Sequence, residues 1–440
     1  MKSARQTAFE ILLKIQKDSA FSNLVLDNML SDNNDLDERD KAFVTNLVYG
    51  SLDRFILLDY NVKLYLNKAS KKLRPELHVI LIMGAYQILF MDKVPDHAAV
   101  SESVQLAKEN KSAFAASLVN AVLRRVAENG LRYPDEDENS IEYVSVRYSC
   151  PEWLIQLWSD AYGLETAKAI AGKALETPQV SIRANTDKID SEALMWKLAE
   201  EGVVGKHCDF LPDALELSNT GSVEQLTAFK DGLFHVQDMS SQICCEAVDV
   251  KPGETVFDLC SAPGGKAFTL AEKLKGTGQV KAFDVYQSRT DLIRKGAARL
   301  GLRNITVDLS DASVYNKNYG LADRVLCDVP CSGLGMIRRK PEIRFKNARE
   351  TEGIPEIQYK ILCNAVNYLK PGGRLVYSTC TLNPAENEEV CERFLSEHSD
   401  FGVADYCSNI PRANKNDKFL TLMPHIHGTD GFFVAAFERK

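Results

Sequence analysis

At 440 residues the chain is long enough for about two to four domains, each able to bury its own core. Its composition is that of an ordinary folded protein, which excludes collagen-like, fibrous and disordered classes. Lys and Arg total 53 against 61 Asp and Glu, and the net charge of −8 argues against wholesale non-specific nucleic-acid binding while leaving room for a local basic face.

The N-terminal stretch keeps a helical period, with Ala4, Ala8, Ile11, Leu12 and Ile15 on one face. It has no continuous apolar core and no small-residue cleavage site, so it reads as a helix rather than a signal peptide. Leu24, Leu26 and Leu30, then Ala42, Val44, Leu47 and Val48, continue the pattern. The most apolar window, His78–Met91, is too short to span a bilayer and is interrupted by Gly84 and Gln87. A cytoplasmic protein is expected. Ser101–Val126 is a further predicted helical region, with Lys108, Lys111, Arg124 and Arg125 interleaved. Residues 1–140 are thus expected to form an all-α domain. The 11 cysteines are odd in number and lack a disulfide-framework spacing, which fits a reducing compartment.

The acidic stretch Tyr133–Glu142 reads as a linker, and Pro151 opens a helical region to about Glu176 with Trp153, Leu154, Leu157 and Trp158 on its apolar face. From Val180 short strands and helices alternate. VSIRANT, Ala214–Leu217 and Leu233–Val236 read as strands, and Ser191–Glu201 and Ser222–Phe229 as helices. Residues 141–237 are therefore predicted to be a helical linker plus a small α+β subdomain of a kind that holds RNA.

Residues 238–440 alternate regularly. Strands are predicted at Thr255–Leu259, Val280–Phe283, Ile305–Val307, Arg324–Cys327, Arg374–Tyr377 and Phe432–Phe437. Helices are predicted at Lys266–Leu274, Arg289–Leu300, Ile357–Leu369 and Ala385–Ser396. The fold class is α/β, with a doubly wound, mostly parallel, Rossmann-like sheet.

Motifs sit at the C-terminal ends of these strands, the edge where open α/β sheets bind ligands. In Asp258-Leu-Cys260-Ser261-Ala262-Pro263-Gly264-Gly265-Lys266, a strand runs into a Pro-Gly-Gly turn and a helix, so backbone can approach a ligand closely. The run is neither a P-loop nor a full GxGxxG. Asp284, about twenty residues on, stands where an acidic residue takes ribose hydroxyls. Asp311 could reach an adenine edge, with Asp308 competing for that role. Carboxylates at three strand ends, with no phosphate-binding lysine loop, favour S-adenosyl-L-methionine over a nucleotide phosphate.

Two thiols follow, Cys331 after Asp328-Val-Pro and Cys380 after Tyr377-Ser-Thr. Cysteine is the natural nucleophile for a soft, electron-poor carbon, provided it is thiolate. Asn383-Pro384-Ala385-Glu386 reads as an N-cap and first helical turn, whose partial positive charge would favour an anion at Cys380. Cys331 has no such cap, which tilts the nucleophile role towards Cys380. A zinc site from Cys260, Cys327, Cys331 and Cys380 has poor ligand spacing, and no metal is expected. Arg338-Arg339-Lys340, with Arg344, Lys346 and Arg349, is a basic run directly after the Pro-Cys loop, read as a phosphate grip beside a target base.

These residues resemble the RNA cytosine-C5 methyltransferases of the Nol1/Nop2/Sun type. DLCSAPGGK, DVPCSGLGMIRRKPEIRF and YSTCTLNPAENEEV stand where that family's cofactor and catalytic motifs are expected, and His235–Asp238, Ser240-Ser241 and Gly428–Phe437 look like its flanking motifs. The first third is similar to the NusB-type antitermination fold, which implies RNA binding. The resemblance implies methylation of carbon 5 of a cytosine in 16S ribosomal RNA, with that RNA or a small-subunit assembly intermediate as partner. It implies Cys380 as nucleophile and Cys331 as the residue that assists release of methylated RNA. It further implies Asp328 touching both cofactor and cytosine, and residues 260–266, Asp284 and Asp311 lining the S-adenosylmethionine site. Ser261 departs from the Ala of many relatives. No membrane partner is expected, and a monomer is. Two rival readings are a non-catalytic RNA-binding assembly factor and a DNA cytosine methyltransferase attacking through Cys331. The intact cofactor turn speaks against the first, and Thr379-Cys380 against the second.

Overall fold

The structure, a computed structural model, describes residues 3–18, 21–31, 36–67, 73–110, 112–405 and 418–440. Lys111 lies outside them. The chain divides into two units, one running to Thr177 and taking back Ile337–Glu350, the other holding Pro178–Met336 and Thr351–Lys440.

The first unit is helical. Its helices are Ala4–Asp18, Ser22–Ser31, Glu38–Asp53, Phe55–Lys63, Pro75–Phe90, Asp96–Glu109, Ala116–Asn129, Ile141–Tyr148, Glu152–Tyr162 and Leu164–Lys173. Local chemistry sets their starts. The Asp37 side chain accepts from the Asp40 backbone N–H at 2.7 Å, and Pro75 occupies a first-turn position whose N–H would be unpaired anyway. Leu77, Val79, Ile80, Leu81, Ile82, Met83 and Ala85 are all buried, so the most apolar window of the sequence is the central helix of a bundle rather than a membrane span. Among the described residues no helix is long and apolar enough to cross a membrane. The single helical region expected at Ser101–Val126 is two helices joined by a 3-10 turn, Ala113–Ala115.

The second unit carries two sheets. The first contains β1 (Val180–Ala184), β2 (Val204–Cys208), β3 (Leu211–Ser218) and β4 (Phe234–Val236) in the order β2-β3-β1-β4, all antiparallel. The helix Ser191–Glu200 follows β1, and its Leu194 and Leu198 join Ile182, Leu215 and Phe234 in one core. The helix expected at Ser222–Phe229 is broken at Leu226 into a 3-10 turn and one α turn. Leu211 and Ala214 of β3 belong to the core that also holds Ile243, Cys244 and Val248 of the helix Met239–Val248.

The larger sheet comprises β5 (Thr255–Asp258), β6 (Gln279–Asp284), β7 (Ile305–Leu309), β8 (Ala322–Asp328), β9 (Leu369–Thr379), β10 (Phe401–Val403), β11 (Leu420–Leu422) and β12 (Phe432–Arg439). Its order is β10-β12-β9-β8-β5-β6-β7, with β11 paired to β12. Strands β5 to β9 are parallel and β12 runs antiparallel to β9. The chain moves outward from β5 through β6 to β7, then crosses back to β8 on β5's other side. The order therefore reverses between β5 and β8, the kind of switch point at whose C-terminal strand ends open α/β sheets bind ligands.

Candidate active site

Four strand ends meet at this edge, those of β5, β6, β8 and β9. Each carries a motif residue because a parallel sheet delivers all its C-terminal ends to one side. Register brings Asp328 of β8 level with Ser378 of β9, and the Ser378 hydroxyl donates to Asp328 Oδ1 at 2.8 Å. Lys266 Nζ donates to the other oxygen, Oδ2, also at 2.8 Å. Burial opposes the charge on Lys266, yet the Asp328 carboxylate holds the ammonium above its ordinary range. Asp328 is thus oriented from two sides while keeping 28% of its side chain exposed, enough to meet a ligand.

The two thiols face one another. Cys331 Sγ and Cys380 Sγ are 3.2 Å apart and both residues are part-exposed. The hydrogen bond with Cys380, then burial, then the charges at Cys380 and Glu386 push the Cys331 thiol well up. Backbone bonds lock the three loops around them. Gly335 N–H donates to Cys380 O at 3.1 Å, and Gly431 N–H donates to Gly335 O at 3.0 Å. A Cβ on Gly335 would fall 2.0 Å from Gly431 O, so only glycine permits this approach.

The cofactor turn is pinned to its neighbours: Leu259 N–H donates to Leu326 O at 3.0 Å and Ser261 N–H to Phe283 O at 2.8 Å. Gly264 has φ +110°, a left-handed conformation that suits glycine. The helix Gly265–Lys273 follows directly. Asp284 ends β6, is buried, and accepts from Tyr286 N–H at 3.1 Å and, longer, from Ala262 N–H at 3.4 Å. Next to it Val285 and Tyr286 are more than half exposed. Asp311 lies beyond the end of β7, exposed, with its carboxylate accepting from Ser313 N–H and hydroxyl; Asp308 lies within the strand. Asp258 is fully buried, and burial together with the charge of Asp328 raises its carboxyl to about 7, against the opposing pull of Ser261 and Lys266.

Two expectations are corrected. The basic run puts Arg344 on a phosphate, but its side chain is buried in the helical unit. Nε donates to Ser149 O at 2.9 Å, Nη1 to Ile337 O at 3.2 Å and Nη2 to Ala174 O at 3.1 Å, and Nη1 lies 3.3 Å from Asp53 Oδ1. Those donors are spent on carbonyls. Arg338, Arg339 and Lys340 also fall in that unit, Arg338 and Arg339 half-buried and Lys340 exposed over the Phe21 ring at 5.6 Å. The helix expected to start beside Cys380 is a separate 3-10 turn, Pro384–Glu386, with the α-helix beginning only at Glu388. Asn383 does cap that turn, accepting from Ala385 N–H at 3.3 Å, but three residues sum to no appreciable dipole.

In the sequence Glu386 reads only as the acid of that first turn. In the structure it is the buried centre of a hydrogen-bond network. Among the described residues no group of three or more His, Cys, Asp or Glu could hold a metal ion.

Residues 245–438 match the 16S rRNA methyltransferase RsmB/F family. The probable ribosomal RNA small subunit methyltransferase B of Bacillus subtilis (strain 168) is 37% identical over 445 residues, covering 100% of this chain and 99% of the relative. The chain belongs to the RsmB/F family of 16S rRNA methyltransferases. The probable ribosomal RNA small subunit methyltransferase B of Synechocystis sp. (strain ATCC 27184 / PCC 6803 / Kazusa) is 35% identical, with 100% of both chains covered. Residues 2–128 match the NusB family and residues 150–224 the ferredoxin-like domain of RsmF/B-type methyltransferases. The crystal structure of PH0851 superposes with a TM-score of 0.82 at 26% identity, covering 98% of each chain. The RsmB/F chain is accordingly a NusB domain, a ferredoxin-like domain and a Rossmann-like methyltransferase domain, whose methyl donor is S-adenosylmethionine.

Proposed function

We propose that this chain methylates carbon 5 of a cytosine in 16S ribosomal RNA by way of a transient bond between Cys380 and carbon 6 of the ring. The carrying observation is the pair of facing thiols, 3.2 Å apart, at the same sheet edge as the Lys266–Asp328–Ser378 constellation. A lone buried cysteine would be an inert hydrophobe, whereas two part-exposed thiols at a ligand-binding edge suit covalent chemistry.

The cofactor fits the donor set. The Asp284 carboxylate suits hydroxyl donors, half-exposed Val285 and Tyr286 offer apolar surface, and the Pro263-Gly264-Gly265 turn presents backbone. Asp311 would add a further acceptor beyond β7. When bound, S-adenosylmethionine supplies an electrophilic methyl group.

Carbon 5 is a poor nucleophile while the pyrimidine keeps its conjugation. Cys380, as thiolate, donates an electron pair to carbon 6, and the electrons of the 5,6 double bond move towards N3 and O2. The Lys266 ammonium, paired with Asp328, brings positive charge to the ring edge where that charge builds, and Asp328 stabilises N3 when it carries a proton to donate there. The enamine so formed makes carbon 5 nucleophilic. After methylation, loss of the proton from carbon 5 returns electrons to the ring and expels the Cys380 sulfur. Cys331, whose surroundings favour the neutral thiol, then helps release the product. The base must leave its stack to reach the crevice, which places it in a loop or opened helix.

The same reading takes the RNA or a small-subunit assembly intermediate as partner, a cytoplasmic monomer as the working form, and no metal in the chemistry. It divides the labour at residues 1–140, 141–237 and 238–440. The test is transfer of radiolabelled methyl from S-adenosylmethionine to 16S ribosomal RNA. Cys380→Ala should abolish transfer while keeping cofactor binding, and transfer at a comparable rate would overturn the reading.

A further inference from the structure

Glu386 is fully buried, and its carboxylate accepts four hydrogen bonds. Oε2 takes the Ser332 backbone N–H at 2.8 Å and Gln358 Nε2 at 3.1 Å. Oε1 takes the Ser332 hydroxyl at 2.5 Å and Asn383 Nδ2 at 2.9 Å. Ser332 follows Cys331 directly, whereas Asn383 and Glu386 itself belong to the segment that follows Cys380. One carboxylate therefore ties the two thiol loops together.

The surrounding bonds extend the tie. Gln358 also donates to Pro330 O at 3.0 Å, on the other side of Cys331. The Ser332 and Thr381 hydroxyls are 2.8 Å apart, a direct link between the residues that follow each thiol. The Tyr377 hydroxyl donates to Glu386 O at 2.6 Å, joining β9 to the same centre. A buried ionised carboxylate is costly unless its lone pairs are filled. Here each oxygen accepts two bonds, and all of these donors converge on the segments that carry the nucleophile and its partner.

We propose that the Glu386 carboxylate is a positioning residue that fixes the Cys331 loop against the Cys380 loop and so sets the two thiols face to face. This rests on the covalent mechanism above. The groups facing Cys331 are Cys380, Glu386 and Tyr377, and the Glu386 charge disfavours a second thiolate beside the first. The carboxylate thus does two things at once: it places Cys331, and it keeps that thiol neutral while Cys380 attacks.

Glu386→Gln keeps the volume but replaces one acceptor oxygen by a donor. Whichever way the amide turns, an NH2 group meets the Ser332 N–H and Gln358 amide or the Ser332 hydroxyl and Asn383 amide. The expected result is a fall in kcat of about 100-fold, the scale of an ångström-sized misplacement, with KM for S-adenosylmethionine unchanged. Iodoacetamide labelling of Cys331 in the full chain, read by mass spectrometry across pH, should reach half-maximum at lower pH in this variant, a shift that a merely structural role would not produce. Should Glu386→Gln fail to fold, Ser332→Ala removes only the hydroxyl links and should lower kcat about 10-fold, the scale of one lost hydrogen bond, without changing KM. Wild-type kcat in the folded variant, or an effect confined to KM with an unchanged labelling profile, would overturn the proposal. Cys380→Ala run in parallel separates the two failures. Methylation by Cys380→Ala sinks the covalent mechanism, whereas an inactive Cys380→Ala beside a fully active Glu386→Gln sinks only the role of Glu386.

Discussion

Replacing Arg344 by Met removes a buried guanidinium while nearly conserving side-chain volume. Three carbonyl groups, those of Ser149, Ile337 and Ala174, lose a cationic donor, and Asp53 loses the cation 3.3 Å from its carboxylate. A hydrogen bond to a charged group is worth about 1.5–3 kcal/mol net, and breaking one side of a buried pair costs about 3–5 kcal/mol. The contributions overlap, because burial already pushes the Asp53 carboxyl up against the pull of Arg344 and Arg54, and loss of Arg344 pushes it further towards the neutral form. A net loss of about 4 kcal/mol follows for the helical unit. For a unit of this size each kcal/mol moves the midpoint by about 2–4 °C, so the transition that unfolds the helical unit should fall by about 10 °C in differential scanning calorimetry of the full chain. The salt dependence of RNA binding should not change. An unchanged melting profile together with a slope of log K against log salt lowered by about 1 would put Arg344 on a phosphate rather than in the helical core.

Two further outcomes are expected. The Asp258 carboxyl is raised to about 7 in the folded chain, so its stabilising contribution is complete below the ordinary aspartate range and is lost as pH rises through 7. Asp258→Asn, which cannot ionise, should gain urea stability relative to wild type between pH 5 and pH 8, by at most about 4 kcal/mol; a flat or reversed difference would contradict this. Cys331→Ala should still methylate but accumulate a covalent RNA adduct, seen as a retarded band on a denaturing gel, and the absence of that band would count against its part in release.

The catalytic sheet was readable because each parallel strand is an apolar run ending in a distinctive turn. Asp258–Lys266, Asp328–Cys331 and Tyr377–Cys380 are local signals, and the doubly wound topology brings their ends to one edge. What escaped is non-local or weakly patterned. β2 is an edge strand whose residues are exposed or half-exposed, and β10 and β11 are three residues each, so periodicity has little to act on. The basic run after Cys331 hid its own exception. Ile337, Pro341 and Ile343 are buried and Phe345 packs on Phe55 at 4.8 Å, so Arg344 is carried inward between apolar neighbours. Alternating apolar residues within Arg338–Arg349 were the available signal. Glu386 looked like a local cap because its partners Ser332 and Gln358 lie 54 and 28 residues away and only the fold gathers them.

The covalent mechanism stands or falls on Cys380 forming the bond to the pyrimidine. In a 16S ribosomal RNA fragment bearing 5-fluorocytosine at the target, fluorine cannot leave as a proton would, so the adduct persists after methyl transfer. Digestion of the trapped complex and mass spectrometry should find the methylated nucleotide on the peptide containing Cys380; finding it on the peptide containing Cys331 would contradict the account.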